Sequence, residues 1–219
     1  MNELSPYRIM TMKNLINSAK SIIDEEGVDS ITIRKVGERA KLNSATIYNH
    51  FENLEHLKIF ACLFVFDEYI DDIKNYISED NNPIENYLAI WECFIKHTAK
   101  NMDAYHTIFF NSLERSMCEY IDEYYKLFPF DNKNYGKYID NMLSNSILEN
   151  RNIVLLEEIA EYGSIRKEDI SWINDITVYL YESVLFRMYK SSIDIESGKK
   201  KIMSGVKKIL IDYMKKEDK

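Results

Sequence analysis

Asn43, Ser44, Ala45 and Thr46 put four short side chains at the start of a short segment that runs to His50. A helix entering the major groove needs short polar groups at its N-terminal end to reach base edges. Between Ile31 and His50, Arg34, Lys35, Arg39 and Lys41 stand against Glu38, a local charge of 4 − 1 = +3 in a chain whose net charge is −8. Evenly spread, that net charge repels a polyanion, so nucleic-acid binding has to come from such a patch. Taken alone, the run also reads as an ordinary solvated face. Its combination with Tyr48 and Phe51 at helical spacing points to DNA.

Catalytic chemistry has no comparable footing. The chain contains no His-Glu-x-x-His, no Gly-x-Ser-x-Gly and no phosphate-binding glycine loop, so neither an enzyme nor a cofactor is expected. Cys62, Cys93 and Cys118 are odd in number and widely spaced, which argues against a disulfide framework and a zinc site; no metal is expected. With no signal-like N-terminus and no long uncharged apolar run, the expectation is a cytoplasmic protein with no membrane partner.

The elements that must position these residues are helical. With 6 Gly and 3 Pro in 219 residues, few positions punctuate the chain, and an all-α fold is expected. Met12, Leu15, Ile16, Ala19, Ile22 and Ile23 recur at helical spacing over Thr11 to Glu26, with Gly27 at a natural C-terminal stop. Thr32 offers an N-cap for a short helix to Ala40, and Asn43 caps a second from Ser44 to His50 whose Ile47 and Phe51 face inward. Two short helices joined by Lys41-Leu42-Asn43 suggest a helix-turn-helix. A long helix follows from Leu54 to about Ile77, then helical patterns at 84–101, 103–127, 135–162, 168–191 and 196–216. The division this implies is a helix-turn-helix module over 1–53 and a larger helical module over 54–219. The lysine-rich stretch from Lys199 to Lys219 reads as a solvated face.

Residues Ile31 to Leu57 resemble the DNA-binding signature of the tetracycline-repressor (TetR) family, most closely at Ala40, Leu42, Thr46-Ile47-Tyr48 and Phe51. The preceding helix and the long following helix fit the same pattern. The resemblance implies an N-terminal three-helix DNA-binding domain over 1–53 and a larger helical regulatory domain over 54–219 for ligand binding and dimerisation. By it, Tyr48, Asn49 and His50 touch phosphates or bases beside Asn43, Ser44, Ala45 and Thr46, while Thr32 and Arg34 anchor the first motif helix to the DNA backbone. Two positions depart from the family pattern. Lys41 stands where Gly is usual, which calls for a left-handed backbone costing roughly 1–2 kcal/mol, and Leu54 replaces a phosphate-contacting Lys, with Lys58 one turn later as a partial substitute. These departures keep open an alternative, a TetR-like co-regulator that has lost direct DNA binding and acts through a protein partner.

Segment 168–191 is apolar on two faces: Ile173, Ile176, Leu180, Val184 and Met188 form one stripe, and Trp172, Tyr179 and Phe186 another. Segment 196–216 repeats this, with Ile202, Val206, Ile209 and Tyr213 beside Met203, Leu210 and Met214. In TetR-like proteins the last two long helices pair with their symmetry mates, which implies a homodimer through about 168–216 on a palindromic double-stranded operator. The resemblance also implies a small-molecule effector pocket. Trp91, Phe94, His97, Tyr105, Phe109, Phe110, Met117 and Tyr120 are its candidate lining, with His106 a further polar anchor, although an ordinary core has the same composition. The mechanism implied is repression relieved when the effector moves the long helix after Leu54.

Overall fold

The computed structural model describes residues 5–110, 115–129, 135–145 and 147–214. Among them there is no strand, and the chain forms eleven α-helices. Helix α1, Pro6–Glu26, begins a turn earlier than its apolar spacing suggests, because Ser5 accepts a hydrogen bond from the Arg8 N–H and Pro6 takes the first helical position. A 3-10 turn, Val28–Ser30, leads to α2, Ile33–Ala40, and α3, Ser44–Tyr48. Helix α4, Leu54–Asp72, is continued by a 3-10 turn over Ile73–Asn75. Helix α5, Pro83–Lys100, starts at a capping box in which Asn82 and Glu85 satisfy each other's backbone N–H groups.

Two stretches with one continuous apolar pattern are each broken. The region 103–127 holds α6, Met102–Phe110, and α7, Met117–Leu127, the second opened by a capping box between Ser116 and Glu119. The region 135–162 holds α8, Lys137–Ser144, and α9, Leu148–Glu161, with Asn145 turning extended at the end of α8. Helices α10, Ile170–Tyr189, and α11, Ile195–Tyr213, complete the chain's described elements. No helix among the described residues is long and apolar enough to cross a membrane.

By compactness the chain divides into two units, one of Met1–Glu68 with Asp103–Pro129 and one of Tyr69–Met102 with Phe130–Lys219. A boundary after residue 53 follows the motif; compactness instead cuts within α4 and adds α7 and nearly all of α6 to the unit that holds α1 to α3.

The first unit is built on one apolar cluster. Leu15, Ile16, Ala19 and Ile22 of α1 meet Val36, Ile47, Phe51, Leu57 and Phe60, with Tyr120 and Tyr124 of α7 closing it, all fully or almost fully buried. Each such side chain contributes on the order of 1.5–3 kcal/mol by leaving water. Arranged this way, α1 and α4 form the platform on which α2 and α3 are held.

In the second unit α10 packs against α9 and α11, and α11 against α5. Gly198 and Gly205 allow close approach: a Cβ would lie 2.2 Å from Met188 Sδ at the first and 2.3 Å from Leu180 Cδ2 at the second. A buried polar chain crosses three helices. Trp91 Nε1 of α5 donates to Asn152 Oδ1 of α9 at 3.0 Å, and Asn152 Nδ2 donates to Asn174 Oδ1 of α10 at 3.0 Å. Each of these buried groups thereby finds a partner, which fixes the rotation of the helices that carry them.

Candidate DNA-binding and effector sites

The turn between α2 and α3 is closed by backbone geometry. Lys41 adopts the left-handed conformation, φ 57° and ψ 41°, that its place in the sequence calls for. The Leu42 N–H then donates to Gly37 O at 2.9 Å and the Lys41 N–H to Glu38 O at 3.4 Å, a Schellman closure of α2. Gly37 is required here, since a Cβ would fall 2.7 Å from Leu42 O. Asn14 Nδ2 of α1 donates to Ala40 O at 3.1 Å and holds the end of α2 down.

Both caps form where the sequence places them. Thr32 Oγ1 accepts from the Lys35 N–H at 3.2 Å, and Asn43 Oδ1 accepts from the Thr46 N–H at 2.8 Å and from Thr46 Oγ1 at 3.0 Å. The Asn43 oxygen and the Thr46 hydroxyl proton are therefore engaged in the cap. Ser44, Ala45, Tyr48 and Asn49 are exposed, while Ile47 is completely buried. His50 is half-buried beside Arg8, and burial followed by that positive charge pushes its pKa down, so at neutral pH it presents a neutral ring.

The basic patch is less free than its composition suggests. Arg39 donates from Nη1 to Glu25 Oε1 at 2.7 Å and to Ser21 Oγ at 2.9 Å, and Lys35 Nζ lies 2.6 Å from Glu26 Oε2. These pairs fasten α2 to α1. Counting Glu25 and Glu26 with the run gives 4 − 3 = +1. Arg34 remains outward, its side chain 86% exposed and only 3.5 Å from Glu38 in a loose pair, and Lys41 is exposed. Leu54 packs half-buried against the first unit's core, and Lys58 is half-buried one turn along α4.

A second anchor escaped the sequence reading. His56 is buried edge-on to Phe51 and Phe60, at 5.3 and 4.5 Å between ring centres, and its Nε2 lies 3.7 Å from Glu123 Oε1. Arg115 bridges Glu52 at 3.2 Å and Glu123 at 3.0 Å and covers the Tyr120 ring. This network ties the segment after α3 to α7 within the first unit. Burial lowers the His56 pKa against the opposing pull of Glu123 and Glu52. The only sequence signal for it was an interior-facing histidine between Phe51 and Phe60.

In the second unit a small pocket of about 20 Å³ is lined by Tyr69, Ile90, Trp91, Phe94, Met142, Leu148, Arg151, Asn152 and Leu155. Of the candidate effector residues, Trp91 and Phe94 line it. His97 is buried apart from that lining, its Nε2 2.9 Å from Asp72 Oδ2. The remaining candidates fall in the first unit. Tyr105 stacks at an angle on Phe66 and Phe109, Tyr120 closes the core, Met117 packs against that core, and Phe110 is partly exposed against His106. Aromatic residues close in sequence are thus distributed between two separate interiors.

Residues 15–57 match the family model described as bacterial regulatory proteins of the tetR family. Over 122 residues the chain is 30% identical to the Transposon Tn10 TetC protein of Escherichia coli, covering 51% of this chain and 59% of that protein, so the match spans little more than half of that relative. A second relative is an HTH-type transcriptional regulator of Staphylococcus aureus strain USA300, 24% identical over 143 residues and covering 59% of this chain and 73% of its own. Among solved structures, the Thermus thermophilus TetR-family repressor FadR, crystallised with lauroyl-CoA, superposes with a TM-score of 0.61 at 13% identity, covering 94% of this chain and 96% of that one; this is a likeness of fold. The signature falls on the capped α2–turn–α3 unit, so residues 15–57 are similar to the DNA-binding segment of tetR-family regulatory proteins, and the helices beyond it share the fold of the solved TetR-family structures.

Proposed function

We propose that the protein is a transcriptional regulator that binds a palindromic operator as a homodimer and releases it when a small molecule occupies the second unit. The observation that carries this reading is the presentation of α3: Ile47 is fully buried, while Tyr48 is 58% exposed and Ser44 and Ala45 stand free at its N-terminal end. That is the surface a recognition helix offers to a major groove. Arg34 and Thr32 flank it as phosphate contacts, with Lys41 and Lys58 as secondary ones. The pocket walled by Trp91, Phe94, Tyr69 and Leu155 is the effector site; it holds about 20 Å³ of free space, and its mostly apolar lining suits a small, largely apolar molecule that widens it on binding. Trp172, Tyr179 and Phe186 form the subunit contact together with α11.

Selection of bound sequences from a random duplex pool, repeated at two salt concentrations, tests the reading. Enrichment of a palindrome whose affinity falls with salt is the expected result. Folded protein that enriches nothing at low salt, with and without small-molecule extracts, would leave only the co-regulator that works through a protein partner. The neutralisation of Lys35 and Arg39 and the packed Leu54 are what keep that second reading in view.

A further inference from the structure

Asp72 at the end of α4 and Cys93 and His97, one turn apart on α5, converge beside the effector pocket's own helices. One carboxylate oxygen, the Cys93 Sγ and a His97 ring nitrogen all lie within 4.8 Å of one another. Cys93 is fully buried and His97 is 6% exposed, whereas Asp72 keeps an open side to solvent. We propose that these three side chains form a binding site for a zinc-type divalent transition metal, with the fourth position facing solvent at Asp72.

The ligand set fits that class of ion. Thiolate, imidazole and carboxylate together suit a borderline cation rather than magnesium or calcium, and three protein ligands leave one position open. Asp72 Oδ2 and His97 Nε2 are already 2.9 Å apart. Ligand atoms around a tetrahedral zinc are separated by roughly 3–4 Å, and the Cys93 Sγ, within 4.8 Å of the other two ligand atoms, lies close to that range. Asp72 already accepts hydrogen bonds from Asn75 Nδ2 at 2.7 Å and Lys96 Nζ at 3.1 Å, which orient the carboxylate toward His97. Burial pushes the Cys93 thiol up to about 12, and its proton leaves to solvent as the metal–sulfur bond forms.

Two further features belong to this arrangement. His97 Nδ1 is buried with no hydrogen-bond partner, and Nε2 is the ring nitrogen that faces the Asp72 carboxylate and would take the metal. Lys96 Nζ sits 3.1 Å from Asp72 Oδ2 and 5.2 Å from the centre of the Tyr76 ring, on a side chain 57% exposed. The protein already places a cation on this carboxylate, and an incoming metal displaces it. The site stands or falls independently of DNA binding.

Full-length protein stripped with EDTA is titrated with Co²⁺, followed by Zn²⁺ as competitor. One equivalent per chain is expected to give a thiolate-to-cobalt charge-transfer band that Zn²⁺ abolishes. Cys93→Ser removes the band and weakens binding by about tenfold or more, while Lys96→Ala, by removing the resident cation, tightens it by about threefold. The opposite signs separate the site from misfolding. No band in the wild type, a band retained in Cys93→Ser, or weaker binding in Lys96→Ala overturns the proposal.

Discussion

Arg34, held only by its loose exposed pair with Glu38, and Tyr48 reach away from the first unit, so their roles can be separated from folding. Arg34→Ala is expected to reduce the slope of log affinity against log salt by about 0.9, the loss of one phosphate contact, and Tyr48→Phe to weaken operator binding without changing that slope. Quantitative DNA titrations checked against circular dichroism decide it; equal loss of folding in either variant contradicts the placement. Lys41 makes the reverse case. Its left-handed backbone costs roughly 1–2 kcal/mol that glycine does not incur, so Lys41→Gly should raise thermal stability by about 1 kcal/mol while removing one exposed charge near the motif. A fall in the unfolding temperature would show that the Lys41 side chain holds the turn in some other way.

At the scale of elements, His56 couples the start of α4 to α7. Its folded pKa lies below its ordinary value, so the unfolded chain binds the proton more tightly. The stability this contributes is complete above about pH 6.5 and is lost as pH falls below that value toward the folded pKa, with a slope of at most about 1.4 kcal/mol per pH unit. Thermal melts across this range should show the loss, and His56→Phe should flatten it; an unchanged slope would assign the dependence to other groups, His50 among them. Both caps and the turn of the motif were legible in the sequence because Thr32, Asn43 and Lys41 act on backbone groups within a few residues. The breaks after α6 and α8 were not, because neither region carries a Pro or Gly where the pattern is interrupted. The pocket was legible only in Trp91 and Phe94; Tyr105 and Tyr120 resemble them in type but are directed elsewhere by tertiary packing. The Arg39–Glu25 pair spans 14 positions and two helices, beyond what local charge counting reaches.

For the molecule as a whole, α10 carries Trp172, Tyr179 and Phe186 at intervals of seven residues, exposed by 56%, 63% and 45%. Such a spacing keeps all three rings on one side of the helix, and in the proposed dimer that side meets its symmetry mate. Trp172→Asp combined with Tyr179→Asp is expected to yield a folded monomer in sedimentation equilibrium and to lower operator affinity by about a hundredfold or more, because two weak half-site contacts no longer act together. A variant that still sediments as a dimer would place the subunit contact on another face.

The pairing of Lys35 and Arg39 with α1 also bears on how an operator is found. Attraction to arbitrary DNA comes almost wholly from unpaired cations releasing condensed counterions. A chain of net charge −8 that spends half of its motif's positive residues on its own first helix has little of that attraction left. On the proposed function it would slide only briefly along non-cognate duplex, search mainly by repeated dissociation and fresh collision, and remain largely in free solution once an effector removes it from its operator.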